Sequence, residues 1–435
     1  MISLNLDQLA GMQQEVLDTL TTAENSWGEF MTLADAEHPW TGWFDAPRKN
    51  GFNEGKFIQS WAKEVDVHYD CVVVCGIGGS FAGTKAVDDA LYPKLTHNTP
   101  TKPIYYAGNH LCERSLIELL DHLQDKYPLI NVVSKSGTTT EPALAFRALL
   151  DYIERKFPDE IAQRVVVTTD VEKGDLCGFV EQQGCKSFVI PSNIGGRFSV
   201  LSAVGLVPLC LAGYEVSHLL TGADQLYTSL RAADSAAEAH PVWLHAAARH
   251  TAWSKGIRID ALAYTTPKLD AFVAWWKQLF GESEGKQDKG LFPAGLAYTT
   301  DLHSMGQYLQ QGWPAILETF MTFNHSGSIS PGGIERRLKI PAPKAAQDKF
   351  ARLVGRNMED INSVAMESAY MAHASRGIPC LKLEIDGSLN LHTLGYMFAY
   401  FQCVCTLTAR LAGLNPFDQP GVEDYKKNMF RLLEV

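Results

Sequence analysis

The sequence lacks the features of several common functional classes. Its 435 residues include 38 Lys and Arg against 49 Asp and Glu, which gives a formal charge of −11. The sequence has no cluster of Lys and Arg that could bind a phosphate backbone, so we expect no nucleic-acid partner. The longest uncharged run, 387–409, contains Ser, Asn, His, Gln and Thr. It is typical of a buried helix rather than a membrane span, so we expect no membrane contact.

Cysteine usage and the first residues bear on cellular location. The chain has nine Cys and no CxxC pair. The close pairs Cys71/Cys75 and Cys403/Cys405 lie in apolar segments, which favours reduced thiols in a cytosol. Residues 1–16 lack a basic segment followed by an apolar run, so they do not resemble a signal peptide. We therefore expect a cytoplasmic protein.

Motifs for metals and nucleotides are also missing. No HExxH occurs, and His245 and His250 are five residues apart, a spacing that does not put both on one helix face. The glycine-rich stretch 76–83 has Phe81 where a dinucleotide fingerprint needs Gly or Ala. No GKS or GKT of a P-loop occurs either. We expect neither a metal nor a cofactor.

Short β-branched segments alternate with helical patterns along the chain. Five strands are predicted in the first half and three in the second: 69–75, 102–107, 128–133, 164–169, 186–191, 257–266, 315–323 and 379–386. This βαβα order predicts parallel sheets with helices on both faces. We therefore predict two doubly wound α/β domains. The predicted boundaries are 1–60 for an N-terminal helical extension, 61–215 for the first domain, and 216–435 for the second domain with its C-terminal helices.

The stretch SKSGTTTEP at 134–142 holds five hydroxyl side chains directly after a predicted strand. Ligands of doubly wound sheets bind at the carboxyl ends of the strands, where helix N-termini present unpaired N–H groups to anions. Capping a helix needs only one or two hydroxyls. Five hydroxyls therefore favour a bound dianion such as a phosphate monoester. Ser80, the last residue of GIGGS (76–80), lies at the start of the next predicted helix and could bind the same anion.

Charged residues in two glycine-rich segments are candidates for chemistry at this anion. Arg197 follows two glycines; it could cap a buried helix or stabilise negative charge on a ligand, and the sequence favours neither. Glu282 and Glu284 stand in GESEG, and His303 is predicted to start a helix capped by Asp301. A carboxylate and an imidazole in such positions suit proton transfer. Solvated carboxylates and a helix-capping His would give the same pattern.

These segments together resemble glucose-6-phosphate isomerase of the shorter bacterial type. The resemblance spans roughly 70–430 and leaves the first 60 residues unmatched. Six blocks carry it: GIGGS (76–80), SKSGTTTEPALAFR (134–147), GGRFSVLSAVGL (195–206), GESEGK (281–286), TTDLHSMGQY (299–308) and NPFDQPGVEDYKKNMF (415–430). The resemblance implies two sugar-isomerase (SIS) domains, a homodimer, and a reversible aldose–ketose conversion of glucose 6-phosphate to fructose 6-phosphate.

The resemblance also implies which residues bind the 6-phosphate of the sugar. Their side-chain hydroxyls would come from Ser80, Ser134, Ser136 and Thr139. Backbone groups of Gly79 and Lys135 would complete this site. Under this expectation the hydroxyl-rich stretch after the third predicted strand is a phosphate site.

Roles in the chemistry are implied in the same way. Glu282 would carry a proton between C2 and C1, and Arg197 would stabilise the enediolate. His303, reaching in from the neighbouring subunit, and Lys426 would open the sugar ring, with Gln419 near the sugar hydroxyls. A base for this step needs a pKa nearer neutrality than the roughly 4.3 of free Glu, so we expect Glu282 in a partly desolvated pocket.

Two alternatives remain open from the sequence. A non-catalytic phosphosugar sensor could share the fold and the hydroxyl-rich stretch, but it would have no use for Glu282, Arg197 and His303 together. An isomerase acting on a related hexose or amino-hexose 6-phosphate is the closer alternative. Selectivity at C2 is not legible in the sequence.

Overall fold

The computed structural model describes residues 2–92, 101–172, 174–233, 239–313, 315–324, 328–329, 335–344 and 349–434. Its strands are β1 (Ile2–Gln8), β2 (Cys71–Cys75), β3 (Ile104–Ala107), β4 (Pro128–Val133), β5 (Val165–Thr169), β6 (Lys186–Val189), β7 (Ile259–Tyr264), β8 (Phe292–Ala297), β9 (Ile316–Phe323), β10 (Ser328–Ile329), β11 (Glu335–Arg336) and β12 (Cys380–Ile385). The eight predicted strands are all present, within three residues at each end.

The α-helices number fifteen in the described part of the chain. They are α1 (Gln13–Asp35), α2 (Phe52–Val65), α3 (Gly79–Leu91), α4 (Glu113–His122), α5 (Thr140–Lys156), α6 (Ile161–Arg164), α7 (Asp175–Gln183), α8 (Ala203–Leu211), α9 (Val216–Arg231), α10 (Pro241–Ser254), α11 (Asp270–Glu284), α12 (Gly306–Gln311), α13 (Met358–Ser375), α14 (Leu391–Leu411) and α15 (Glu423–Leu433). None of these helices is long and apolar enough to cross a membrane.

Two five-stranded sheets form the framework. The first has the order β3-β2-β4-β5-β6 and is parallel throughout. The second has the order β1-β12-β9-β7-β8, and its strands are parallel except for β1 at the edge. The prediction of two parallel α/β sheets is therefore confirmed.

The central strands are apolar because both of their faces are covered. Every residue of β2 (CVVVC) and of β4 (PLINVV) is buried, as expected for a parallel sheet between two helical layers. The uncharged run 387–409 supplies most of α14, which is buried from Thr393 to Ala409. It packs against α9 and α10. Helix α11 packs against α3, so a helix of the second sheet lies beside the first helix of the first sheet.

The sequence had led us to expect a helical N-terminal extension. The structure differs, because this segment also contains a strand. Residues 2–8 form β1, which pairs antiparallel with β12 in the second sheet. Helices α1 and α2 follow, with a π-helical turn at Pro47–Gly51. Strand β8 was also not predicted, because its sequence FPAGLA contains Pro and Gly, which are rare in strands. The boundary at 215 falls between α8 and α9, and it stays a prediction.

Candidate active site

Two loops leave neighbouring strands at the carboxyl edge of the first sheet. Strands β2 and β4 pair in parallel with Cys75 opposite Val132, so the glycine loop (76–80) and the hydroxyl loop (134–139) emerge side by side. Gly79 opens α3, and a Cβ added there would collide with the carbonyl of Gly196. Only glycine therefore lets the glycine loop approach the loop at 192–197, which we call the Arg197 loop. Ser80 stands in the first turn of α3.

The hydroxyl loop is organised by its own backbone. Ser134 Oγ accepts a hydrogen bond from Gly137 N (3.1 Å), and Ser136 Oγ accepts one from Thr138 N (3.2 Å). Thr139 is the N-cap residue of α5, yet its side chain makes no capping hydrogen bond. Its hydroxyl is thus not engaged at the helix terminus. Helix capping does not account for these hydroxyls, and the N-terminus of a 17-residue helix points at the same loop.

Arg197 is the most heavily bonded side chain near these loops. It is 2% exposed, and Nε donates to Ser283 Oγ at 2.8 Å. Nη1 donates to Gln419 Oε1 (2.7 Å) and to Glu282 Oε2 (3.1 Å). Nη2 donates to the carbonyls of Pro416 and Asp418 at 2.6 and 3.2 Å. A buried guanidinium thus joins the end of α11 to the segment 416–419.

Glu282 lies in the last turn of α11 and faces this guanidinium. Its second oxygen accepts a hydrogen bond from Gln278 Nε2 at 2.9 Å, and the Glu282 side chain is 31% exposed. Gln278 in turn lies against the glycine loop, with its Nε2 2.9 Å from where a Cβ at Gly78 would stand. The carboxylate is therefore partly buried between the guanidinium and the glycine loop.

Gln278 was missed by the sequence analysis. Its signal was the four-residue spacing from Glu282, which puts both side chains on one face of a helix. Lys286 was missed as well. Its ammonium bonds the side chain of Asp418 (2.6 Å) and the Asp418 carbonyl (2.8 Å), so it fixes the segment that carries Gln419.

Glu284 has a different environment from Glu282, although only one residue separates them. It is 2% exposed and accepts a hydrogen bond from Arg249 Nη2 at 2.7 Å. Arg249, itself buried, also pairs with the buried Asp260. Burial raises the pKa of Glu284, and the charge of Arg249 partly opposes that rise. Glu284 belongs to an ion-pair cluster in the core, whereas Glu282 faces Arg197.

This buried cluster leads to a prediction about stability. Arg249→Met leaves two carboxylates buried without a cation, so we expect the free energy of unfolding to fall by about 3–5 kcal/mol. Glu284→Gln keeps the shape and the hydrogen bond to Arg249, so its effect should be much smaller. Urea unfolding of the two variants and of the wild type measures the difference. Equal losses in both variants would contradict this assignment.

The raised pKa of Glu284 also predicts a pH dependence. A carboxyl whose pKa is higher in the folded state binds more protons when folded. Its contribution to stability therefore declines as the pH rises from its unfolded pKa through its folded pKa. Glu284→Gln removes this decline, so the variant should gain stability relative to the wild type as the pH rises over that range. Unfolding curves at several pH values between about 4 and 8 test the sign.

Among the described residues, no hydrogen bond or ion pair joins His303 or Lys426 to Arg197, Glu282 or Gln419. His303 follows the 3₁₀ turn Thr300–Leu302, and the next helix begins only at Gly306, so the prediction that His303 starts a helix is wrong. Asp301 does not cap a helix. It accepts hydrogen bonds from Ala297 N (2.7 Å) and Ser304 Oγ (2.8 Å). His303 is exposed, and among the described residues no hydrogen bond joins its side chain to the others.

Lys426 projects from α15, the last described helix. Its ammonium pairs with Glu423 Oε1 at 2.9 Å, and no described residue of this helix is buried. Gln419, seven residues earlier, contacts Arg197 directly. The structure thus brings Arg197, Glu282 and Gln419 together beside the glycine loop, and it leaves His303 on the surface.

Known structures share this architecture. A hypothetical protein from Thermus thermophilus matches with a TM-score of 0.89 over 100% of both chains at 24% identity. Tagatose-6-phosphate ketose/aldose isomerase from Escherichia coli matches with a TM-score of 0.52 at 11% identity, over 87% of this chain and 92% of that chain. At these identities the likeness concerns the fold alone. The chain shares its fold with this phosphosugar isomerase.

Sequence relatives identify the family to which the chain belongs. The family model for phosphoglucose isomerase matches residues 51–433. A glucose-6-phosphate isomerase from Symbiobacterium thermophilum is 41% identical over 401 residues, covering 90% of this chain and 86% of the relative. The chain therefore belongs to the phosphoglucose isomerase family.

Proposed function

We propose that the protein catalyses the reversible conversion of glucose 6-phosphate to fructose 6-phosphate. The observation that carries the proposal is the pairing of Glu282 with Arg197 beside two phosphate-type loops. A partly exposed carboxylate stands 3.1 Å from a buried guanidinium. This pairs a proton acceptor with a fixed positive charge, which is what a reaction through an enediolate needs. Membership of the phosphoglucose isomerase family supports a phosphosugar substrate.

The chemistry follows from the positions of these groups. The open-chain aldose binds with its phosphate at Ser80, Ser134, Ser136 and Thr139 and at the backbone of Gly79 and Lys135. Glu282 removes the proton from C2, and the electrons move onto the carbonyl oxygen at C1. Arg197 stabilises the resulting enediolate. Glu282 then delivers a proton to C1 while a proton passes from O2 to O1, which yields the ketose.

Arg197 suits this role because it is fixed before the substrate arrives. Five hydrogen bonds from its guanidinium hold the side chain in one orientation. Charge that is already in place costs no reorganisation when the enediolate forms. Gln419, held by the same guanidinium, is proposed to lie near the sugar hydroxyls.

Ring opening is proposed to need a second subunit. His303 is exposed and is not joined to Glu282 within its own chain, so a neighbouring copy could present this imidazole to the site. Lys426, on a helix without buried residues, would complete the ring-opening pair. We therefore propose a homodimer with shared active sites, working in the cytoplasm as the cysteine usage favours.

Replacing hydroxyls of the phosphate site should weaken binding. Ser136→Ala and Thr139→Ala each remove one charge-assisted hydrogen bond, so we expect a loss of about 1–2 kcal/mol in the binding of glucose 6-phosphate. Thr140→Ala is the matched control, because none of the proposed roles uses the Thr140 hydroxyl. Steady-state kinetics give the comparison. A loss with Thr140→Ala as large as with the other two would argue against this phosphate site.

The proposed substrate is tested with a panel. Purified protein is assayed with glucose 6-phosphate, mannose 6-phosphate, glucosamine 6-phosphate and unphosphorylated glucose. We expect the highest kcat/KM with glucose 6-phosphate and very poor turnover of glucose. Preference for glucosamine 6-phosphate would move the assignment to an amino-hexose isomerase. Tight binding without any turnover would support a phosphosugar sensor.

A further inference from the structure

The segment 38–44, here called the tryptophan loop, contacts two loops of the candidate site. No motif of the sequence assigned it a role. Gly42 N donates a hydrogen bond to the carbonyl of Asn193 at 3.1 Å, which joins it to the Arg197 loop. Trp43 stacks on Phe198 with ring centroids 4.9 Å apart, directly after Arg197. The tryptophan loop is therefore anchored beside the guanidinium.

Lys135 of the hydroxyl loop completes a three-way contact. Its ammonium donates a hydrogen bond to the carbonyl of Ser192 at 3.0 Å. The same ammonium stands over the ring of Trp40, 5.0 Å from its centroid, within the range of a cation–π interaction. One side chain thus joins the hydroxyl loop, the Arg197 loop and the tryptophan loop. Partial burial also lowers the pKa of Lys135.

Ordinary core packing does not explain the position of Trp40. Its neighbours Trp43 and Phe44 are fully buried, whereas Trp40 is 42% exposed. Its φ of +73° lies in the left-handed region, which a bulky residue rarely adopts. Backbone of this kind persists where surrounding contacts enforce it, and it is concentrated at functional sites. In this backbone conformation the ring of Trp40 lies against the Lys135 ammonium, so the contact explains why the conformation is kept.

We propose that Trp40 and Lys135 are positioning residues that fix the hydroxyl loop relative to the Arg197 loop and so set the affinity for the substrate's phosphate. In this proposal neither side chain touches the substrate: the Lys135 ammonium is bonded to the carbonyl of Ser192, and Lys135 serves the phosphate through its backbone. The proposal rests on the proposed function. It adds that residues of the N-terminal segment determine how tightly phosphosugars bind.

The test separates binding from catalysis. Trp40→Ala removes the cation–π contact, and Lys135→Met removes that contact together with the hydrogen bond to the Ser192 carbonyl. Each should raise the KM for glucose 6-phosphate about 5–20-fold while kcat changes less than about threefold. Trp40→Phe keeps an aromatic face and should restore most of the affinity. The KM of the double variant should lie within about twofold of the KM of Lys135→Met, because both substitutions break the same contact.

A matched control exists at the first sheet. Lys186 stands over the ring of Phe57, 4.8 Å from its centroid, on strand β6 rather than at the site loops. Lys186→Met removes a comparable contact, and it should leave KM unchanged. Thermal unfolding of every variant shows whether it is folded. If Lys186→Met raises KM as much as Lys135→Met does, the effect comes from a general loss of rigidity in the protein. That result would overturn the proposal.

Calorimetry with glucitol 6-phosphate, an open-chain analogue that cannot be isomerised, gives a readout independent of turnover. Its dissociation constant should rise with Trp40→Ala and Lys135→Met by the same factor as KM. If the wild type neither binds this analogue nor converts glucose 6-phosphate, the proposed function itself fails. If the wild type does both and the two variants retain its affinity, or lose kcat with unchanged KM, only the positioning role is refuted.

Discussion

Glu282→Gln should lower the turnover of glucose 6-phosphate by about 10²–10⁴-fold or more while the substrate still binds. The substitution preserves the shape of the side chain, and the amide oxygen can still accept the hydrogen bond from Arg197. It removes the only function that the proposal assigns to this group, which is to accept and return a proton. Steady-state kinetics with calorimetric binding of glucitol 6-phosphate measure both parts of the expectation.

The matched control is Glu284→Gln. It is the same chemical change only two positions along the same helix, but it falls on a side chain buried against Arg249. We expect it to retain most of the wild-type turnover. If Glu284→Gln is inactive and Glu282→Gln is not, the choice between the two acids is wrong and so is the proposed mechanism.

Mixing two inactive variants should restore about a quarter of the wild-type activity. Glu282→Gln and His303→Ala proteins, each nearly inactive, are unfolded and refolded together in equal amounts. Random pairing makes about half of the dimers mixed. If His303 serves the neighbouring subunit's site, each mixed dimer has one site with both changes and one intact site. Half of the dimers with half of their sites active gives one quarter.

Two conditions make the mixing experiment decisive. The substrate is supplied as cyclic glucose 6-phosphate, because an open-chain aldose would bypass the ring-opening imidazole. The presence of mixed dimers is verified by mass or by a charge tag on one variant. Refolded mixtures that contain mixed dimers but show no more activity than the separate variants would place both residues in one chain's site.

Most strands of the two sheets were predictable, because burial of a strand on both faces requires a short local run of apolar residues. CVVVC is apolar throughout and PLINVV is apolar apart from Asn131, a pattern that indicates strands covered on both faces. The neighbourhood of the glycine and hydroxyl loops was predictable too, since parallel strands end at one edge. Strand β1 was missed although Ile2, Leu4 and Leu6 alternate with polar residues, a pattern that predicts a half-buried strand.

The parts that could not be predicted depend on contacts distant in sequence. Arg197 bonds Gln419 across 222 positions, and no spacing rule connects the two. The choice between Glu282 and Glu284 depended on which face of α11 meets the core, which is decided by Arg249 on another helix. Trp40 carried no motif, because its role is defined by a lysine 95 positions away. The family resemblance implied roles for Arg197, Glu282 and Gln419, but it implied none for Trp40.

The central claim is proton transfer between C2 and C1 of a hexose 6-phosphate, and its most direct test is NMR of glucose 6-phosphate with the wild-type protein in D₂O. Because the partly exposed Glu282 carboxyl can exchange the proton it removes with solvent before delivering one, we expect fructose 6-phosphate to accumulate to equilibrium and deuterium to enter C1 of the ketose and C2 of the recovered aldose. Glu282→Gln should abolish both signals together. Conversion without any deuterium at either carbon would indicate a direct hydride shift, and binding without conversion would indicate a sensor; either result would contradict the account.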